Sequence, residues 1–145
     1  MQFLSLSGSR TIPAREFFRG AFETALEPTE LLTEIRVPKV SDAGWAYVKF
    51  HPRAQDWAIV GVAAVVHRPN GREGRAAVAL TNMGDTPLRA TAVEQALAQG
   101  ADPASASAAA ADGTNPVSDP FASSEYRRYL APVLVRRALE EALAH

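Results

Sequence analysis

The sequence contains no cysteine. That excludes a disulfide scaffold, thiolate zinc sites, a cysteine nucleophile and cysteine-ligated iron–sulfur clusters within these residues. Lysine is almost as scarce, with Lys39 and Lys49 set against 13 arginines. A dominant charge of either sign is missing too. The formal net charge is −1, which removes the main electrostatic drive toward nucleic acid. No apolar run approaches the ~20 residues of a membrane-spanning helix. Met1-Gln2-Phe3-Leu4-Ser5 lacks the basic segment and apolar core of a secretory signal, so the cytoplasm is the expected location. GxSxG, P-loop, GxGxxG and HExxH patterns are all absent. His51, His67 and His145 have no ligand spacing, so neither a metal site nor a self-contained catalytic residue is expected.

What remains is an ordinary globular composition, 47% hydrophobic and 21% charged. A length of 145 residues suits one domain, or one small domain with an extension. The 28 alanines and the excess of arginine over lysine read as the bias of a GC-rich genome.

Phe3, Leu4 and Leu6 lead into Ser7-Gly8-Ser9, and Arg10 to Pro13 leave it, which predicts a hairpin. Ala14 to Arg19 reads as one helical turn with Phe17 and Phe18 inward. Residues 20–29 read as irregular, and Glu30 to Val37 as a strand ended by Pro38. Lys39 to Gly44 is polar and separates two strand patterns, so it marks a boundary. Beyond it, Trp45, Tyr47, Lys49 and His51 alternate with Ala46, Val48 and Phe50. Trp57 to Val66 is apolar on both faces, as in the centre of a sheet covered on both sides. The Pro69-Asn70-Gly71 turn, part of a tip that continues to Gly74, returns the chain as Arg75 to Thr81.

The period then becomes helical. Thr91 and Glu94 have capping-box spacing, and Gly100 suits a helix end. Asp102-Pro103 starts a second helix reaching about Asp112-Gly113. Ser123 or Ser124 starts a third, ending near Leu143, with Tyr126, Leu130, Val133, Leu134 and Leu139 along one stripe. Pro132 predicts a kink in it. Arg127-Arg128, Arg136-Arg137 and Glu140-Glu141 read as a solvated face of this helix. The fold class is therefore α+β: a three-stranded antiparallel sheet followed by three helices, with a short β-rich N-terminal arm.

The dense polar and aromatic constellation runs from Tyr47 to Ala58. Lys49 is a cation on a strand flanked by aromatics, able to pair with an acid or donate to an anionic or carbonyl-bearing ligand. Arg53 and Asp56 are placed to bridge across the following turn. Taken alone, the residues favour a purely structural cluster.

This stretch reads Y-x-K-x-x-x-R-x-x-D-x-A, and it resembles the FAD-carrying medium subunit of molybdenum hydroxylases of the carbon monoxide dehydrogenase and xanthine dehydrogenase type. Ile12-Pro13-Ala14-Arg15-Glu16-Phe17-Phe18, Thr24 to Leu32, Thr81 to Ala90, Val93 to Leu97 and Ser124 to Arg128 fit the same pattern in the same order. The resemblance covers the whole chain. It implies a division into residues 1–40, the end of an FAD-binding domain, and 41–145, a C-terminal α+β domain. It also implies a role as part of an electron-transfer subunit, with FAD as cofactor. The implied partners are an iron–sulfur small subunit and a molybdenum large subunit. Lys49 and Leu32 would meet the flavin, with Tyr47 as ring neighbour and Arg53 as loop anchor. The family's glycine-rich pyrophosphate segments lie upstream of the matching region, so these residues alone are expected to hold FAD weakly or not at all. They are not expected to be catalytic alone, and a separate N-terminal FAD-binding half would be a further partner. The competing expectation is a non-catalytic subunit-interaction or assembly domain that has lost flavin binding.

Overall fold

A computed structural model describes residues 1–68 and 74–144. They form two compact units, divided between Lys39 and Val40. The turn expected at Pro69-Asn70-Gly71, most of the tip reaching Gly74, and His145 lie outside the described residues.

In the N-terminal unit, β1 (Gln2–Ser5) and β2 (Gly8–Thr11) pair antiparallel as the expected hairpin. Ala14–Glu16 is a single 3-10 turn. The stretch expected to be irregular instead holds a small ladder of β3 (Phe18–Gly20) and β4 (Glu23–Thr24). The next strand is shorter than expected. β5 (Leu31–Glu34) pairs with the other edge of β1, giving the order β2-β1-β5. Phe3 is fully buried, and Phe17 stacks on it with ring centroids 5.9 Å apart. Phe18 does not turn inward with Phe17 but is 44% exposed, meeting Phe17 edge-on.

Arg10 organises this unit. Its guanidinium lies 5.2 Å from the Phe3 ring centroid and grips Glu30 through two bonds of 2.6 and 2.7 Å. Arg10 and the Glu27 backbone N–H lower the Glu30 carboxyl to about 2.

The second unit begins with β6 (Ala43–Phe50), β7 (Val60–His67) and β8 (Ala76–Thr81), the expected antiparallel meander. A two-residue strand, β9 (Leu88–Arg89), extends it beyond β8. Three helices follow: α1 (Thr91–Ala98), α2 (Pro103–Ser107) and α3 (Ser124–Ala144). α3 packs on β6 and β7, α1 on β8, and α2 on both helices. Ala46, Val60, Val62, Ala64, Val66, Val78 and Leu80 point into this helical layer. They form one core with Met83, Val93, Leu134, Val135 and Leu139.

Four local expectations are corrected. β7 is not covered on both faces: its Val65 is 36% exposed, on the side away from the helices. Thr91 is the first residue of α1 and does not cap it; Ala90 precedes it without a side-chain cap. Glu94 turns instead toward the sheet, accepting from the Val78 backbone N–H at 2.8 Å and from Arg89 Nε at 2.7 Å. α2 stops at Ser107, and Ala108 to Gly113 continue as turns. The arginine pairs of α3 do not all face solvent, because Arg127 is 3% exposed.

The N-cap signals of α2 and α3 hold. Asp102 caps α2 by accepting from the backbone N–H groups of Ala104 and Ser105 at 2.9 and 3.0 Å. Ser123 accepts from the Tyr126 N–H at the start of α3. α3 runs unbroken through Pro132. Gly44 is the residue on which its packing depends: a Cβ there would sit inside the carbonyl group of Ala142.

Candidate functional site

Strand alternation sends a second set of side chains to the sheet face opposite the helices. The register places Trp45 beside Val65, Tyr47 beside Ala63, and Lys49 beside Gly61. The next strand continues these rows with Ala77, Ala79 and Thr81. The result is a floor of small residues with three large side chains along β6. Trp45 and Tyr47 are 67% and 56% exposed, whereas Lys49 is half-buried.

Gly61 allows the close packing beside Lys49. A Cβ there would lie 2.6 Å from Thr81 Oγ1 and 3.3 Å from the Tyr47 hydroxyl. The Tyr47 phenol therefore reaches across Gly61 toward Thr81. Lys49 donates from Nζ to the Asp56 carbonyl oxygen at 2.9 Å. An ammonium has three donors, so two remain to be directed elsewhere.

Residues 51–59 form the loop between β6 and β7. Its base is closed by the Ile59 N–H donating to the Phe50 carbonyl at 2.7 Å. The expected side-chain bridge between Arg53 and Asp56 does not form. These two are joined through the backbone, with the Asp56 N–H donating to the Arg53 carbonyl at 3.0 Å, and the Arg53 side chain is exposed. His51 is half-buried, and its buried Nδ1 has no hydrogen-bond partner.

Below the loop, Asn82 Nδ2 donates to the Ala58 carbonyl, and Arg127 donates to the Ile59 carbonyl and to Asp119 Oδ2. Burial disfavours the charge on Asp119. The N–H groups of Ala122 and Phe121 together with the Arg127 guanidinium outweigh it and hold the carboxyl below its ordinary range. These residues border a cleft of about 520 Å³, whose rim carries the exposed rings of Trp57 and Phe121.

Of the four residues singled out in the sequence, Tyr47 and Lys49 share the open sheet face and Arg53 lies on the adjoining loop. Leu32 belongs to β5 of the N-terminal unit, where it is 38% exposed. Sequence reasoning missed Asn82 and Arg127. Asn82 could have been suspected from its place in Thr81-Asn82-Met83-Gly84, just after a strand, since asparagine tolerates the left-handed backbone found here, φ 58°. No comparable signal marks Arg127.

Residues 45–142 match the family described as CO dehydrogenase flavoprotein C-terminal domain. The carbon monoxide dehydrogenase medium chain of Afipia carboxidovorans is 39% identical over 142 residues, which is 94% of this chain and 49% of that protein. A solved carbon monoxide dehydrogenase from Hydrogenophaga pseudoflava, lacking the Mo-pyranopterin moiety of its cofactor, superposes with a TM-score of 0.91 at 37% identity. It covers 99% of this chain and 52% of that one. Quinoline 2-oxidoreductase from Pseudomonas putida 86 superposes equally well, TM-score 0.91, at 28% identity over the same shares. The chain thus spans about half the length of the relatives it matches.

Proposed function

The chain belongs to the CO dehydrogenase flavoprotein C-terminal domain family, and from that premise we propose that it forms part of the FAD-carrying electron-transfer subunit of a molybdo-iron–sulfur-flavin oxidoreductase. The observation that carries this reading is Lys49, half-buried on an open sheet face, fixed at one donor by the Asp56 carbonyl and set beside a glycine. The residues fit a flavin. Gly61, Ala63, Ala77 and Ala79 leave room for a flat ring, and Tyr47 offers an aromatic edge. FAD supplies the capacity to take up and release electrons. Lys49 supplies a fixed positive charge whose value rises where negative charge develops, because it needs no reorientation. Tyr47 lines the ring, Arg53 anchors the loop, and Leu32 of the N-terminal unit contributes apolar contact.

Residues 1–40 are in this reading the end of the FAD-binding domain, and 41–145 the C-terminal domain. Phosphate groups are gripped by backbone N–H groups at glycine-rich turns. We assign that task to an N-terminal FAD-binding half outside these 145 residues, so the chain alone holds FAD weakly and does not catalyse. Its partners are an iron–sulfur small subunit and a molybdenum large subunit, and its place is the cytoplasm. The substrate lies with the molybdenum chain: the relatives range from carbon monoxide to quinoline enzymes.

The test is an absorbance spectrum and FAD titration of the chain, alone and mixed with the N-terminal half of the Hydrogenophaga medium chain. Binding only in the mixture, weakened by Lys49→Ala, is expected. Micromolar binding by the chain alone overturns the division of labour. No binding in either case, with stable association to iron–sulfur or molybdenum subunits, replaces the flavin role with a docking role.

A further inference from the structure

We propose that Asn82 and Arg127 are positioning residues that hold the Lys49 ammonium in place through the backbone of the 51–59 loop. Three carbonyls near the end of that loop each accept from a side chain of a different element. Lys49 on β6 donates to Asp56, Asn82 after β8 donates to Ala58, and Arg127 on α3 donates to Ile59. Ile59 is buried in the core and closes the loop base, but residues 52–57 have little else to hold them. Pro52, Arg53, Ala54, Gln55 and Trp57 are all exposed, Trp57 by 82%. A segment with so few buried apolar contacts is fixed by its polar anchors or opens freely.

Both anchors are prepared for the task. Asn82 has φ 58°, a backbone that glycine would adopt with less strain. The amide is what asparagine adds, and its donor goes to the loop. Arg127 is 3% exposed, and a buried guanidinium is costly unless its charge is paired and its donors are met; its Nε has no hydrogen-bond partner, but both terminal nitrogens do. Asp119 meets one side of it and is itself pinned by the N–H groups of Phe121 and Ala122, both at 2.9 Å. The Ile59 carbonyl meets the other side. Arg127 thereby ties the loop to the helical layer. The Asp56 carbonyl is three residues from that tie and two from the Asn82 tie, so the direction of Lys49 Nζ is inherited from both. The functional weight of this device rests on the reading of Lys49 as a flavin contact, but its existence can be measured without flavin.

With Lys39 and Lys49 as its lysines, the 145-residue chain gives two side-chain ammonium signals after ¹⁵N-lysine labelling. In the wild type, hydrogen exchange at the Lys49 ammonium is expected to be slower than at exposed Lys39. Asn82→Gly keeps the left-handed backbone and removes the donor. It should speed Lys49 exchange on the order of tenfold, the factor one net hydrogen bond is worth, and leave Lys39 unchanged. Arg127→Lys, which keeps the charge beside Asp119 but not the reach to Ile59, should do the same. Equal exchange at both lysines in the wild type overturns the proposal. So does unchanged Lys49 exchange in Asn82→Gly with an intact far-UV spectrum. Should Asn82→Gly fail to fold, Asn82→Asp, which opposes a carboxylate to the Ala58 carbonyl, is read in the same way. If Asn82→Gly loosens Lys49 yet leaves FAD affinity of the reconstituted protein unchanged, the positioning stands and the flavin role of Lys49 falls.

Discussion

Gly61→Ala sets two opposed terms against each other beside Lys49. The new Cβ would lie 2.6 Å from Thr81 Oγ1, closer than ordinary contacts allow, while Tyr47 and Ala58 at 3.3 and 3.5 Å can nearly accommodate it. Overpacking of this kind costs about 1–3 kcal/mol, and we take about 2 because the threonine can turn about χ1. Against it, alanine loses less chain entropy than glycine in a strand, about 0.5–1 kcal/mol in its favour. The net expectation is a loss of roughly 1–1.5 kcal/mol. Thr81→Ala removes the obstructing oxygen. In that background Gly61→Ala should become neutral or stabilising by up to about 1 kcal/mol, which makes the coupling about 2 kcal/mol. Urea unfolding of the four proteins by far-UV circular dichroism measures the cycle. The same loss in both backgrounds would refute the steric argument and with it the close approach of Thr81 to Gly61.

Gly44→Ala drives a methyl into the carbonyl of Ala142 on α3, where backbone must yield; a loss of about 3 kcal/mol or more is expected from thermal unfolding, whereas Gly20→Ala, with only a Glu23 side-chain atom at 3.4 Å, should change little. Asp102→Ala removes the cap of α2 and should cost about 1 kcal/mol in the same assay, while Thr91→Ala should be close to neutral, because Thr91 caps nothing. Glu30 is depressed in the folded state to about 2 from an ordinary value of 4.5, so the stability it contributes is present above about pH 4.5 and is lost as pH falls toward 2. Unfolding of the N-terminal unit, followed by amide exchange, should show that slope, and Glu30→Gln should flatten it.

The second unit was legible wherever a single periodicity governed the residue. Alternation from Trp45 to Phe50 reports one buried and one open face, and β6 has both. The failures share a cause. Thr91 and Glu94 have the spacing of a capping box, but a buried strand N–H at Val78 competed for the carboxylate and won. The apolar run into β7 predicted cover on both faces, since pattern cannot separate a strand covered twice from one whose outer residues are small. Val65 lies open, and Ala63 is only half-buried, on the side away from the helices.

The site was legible in half. Lys49 stands out because lysine is rare here and its neighbours are aromatic, and its strand fixes the face it occupies. What directs its ammonium is a carbonyl seven residues on, held by side chains from two other elements. A backbone acceptor leaves no trace in residue type. Arg127 looks like one of four arginines on a charged helix, yet it alone of the four is buried, because Asp119 and the Ile59 carbonyl engage its two terminal nitrogens, leaving only Nε without a partner. Charge identity predicts solvation only when no partner waits in the fold, and that partner, eight residues earlier in a loop, is visible only once α3 is docked. A positioning network of this kind is therefore found by asking where each loop carbonyl sends its lone pair, not by asking which residues look reactive.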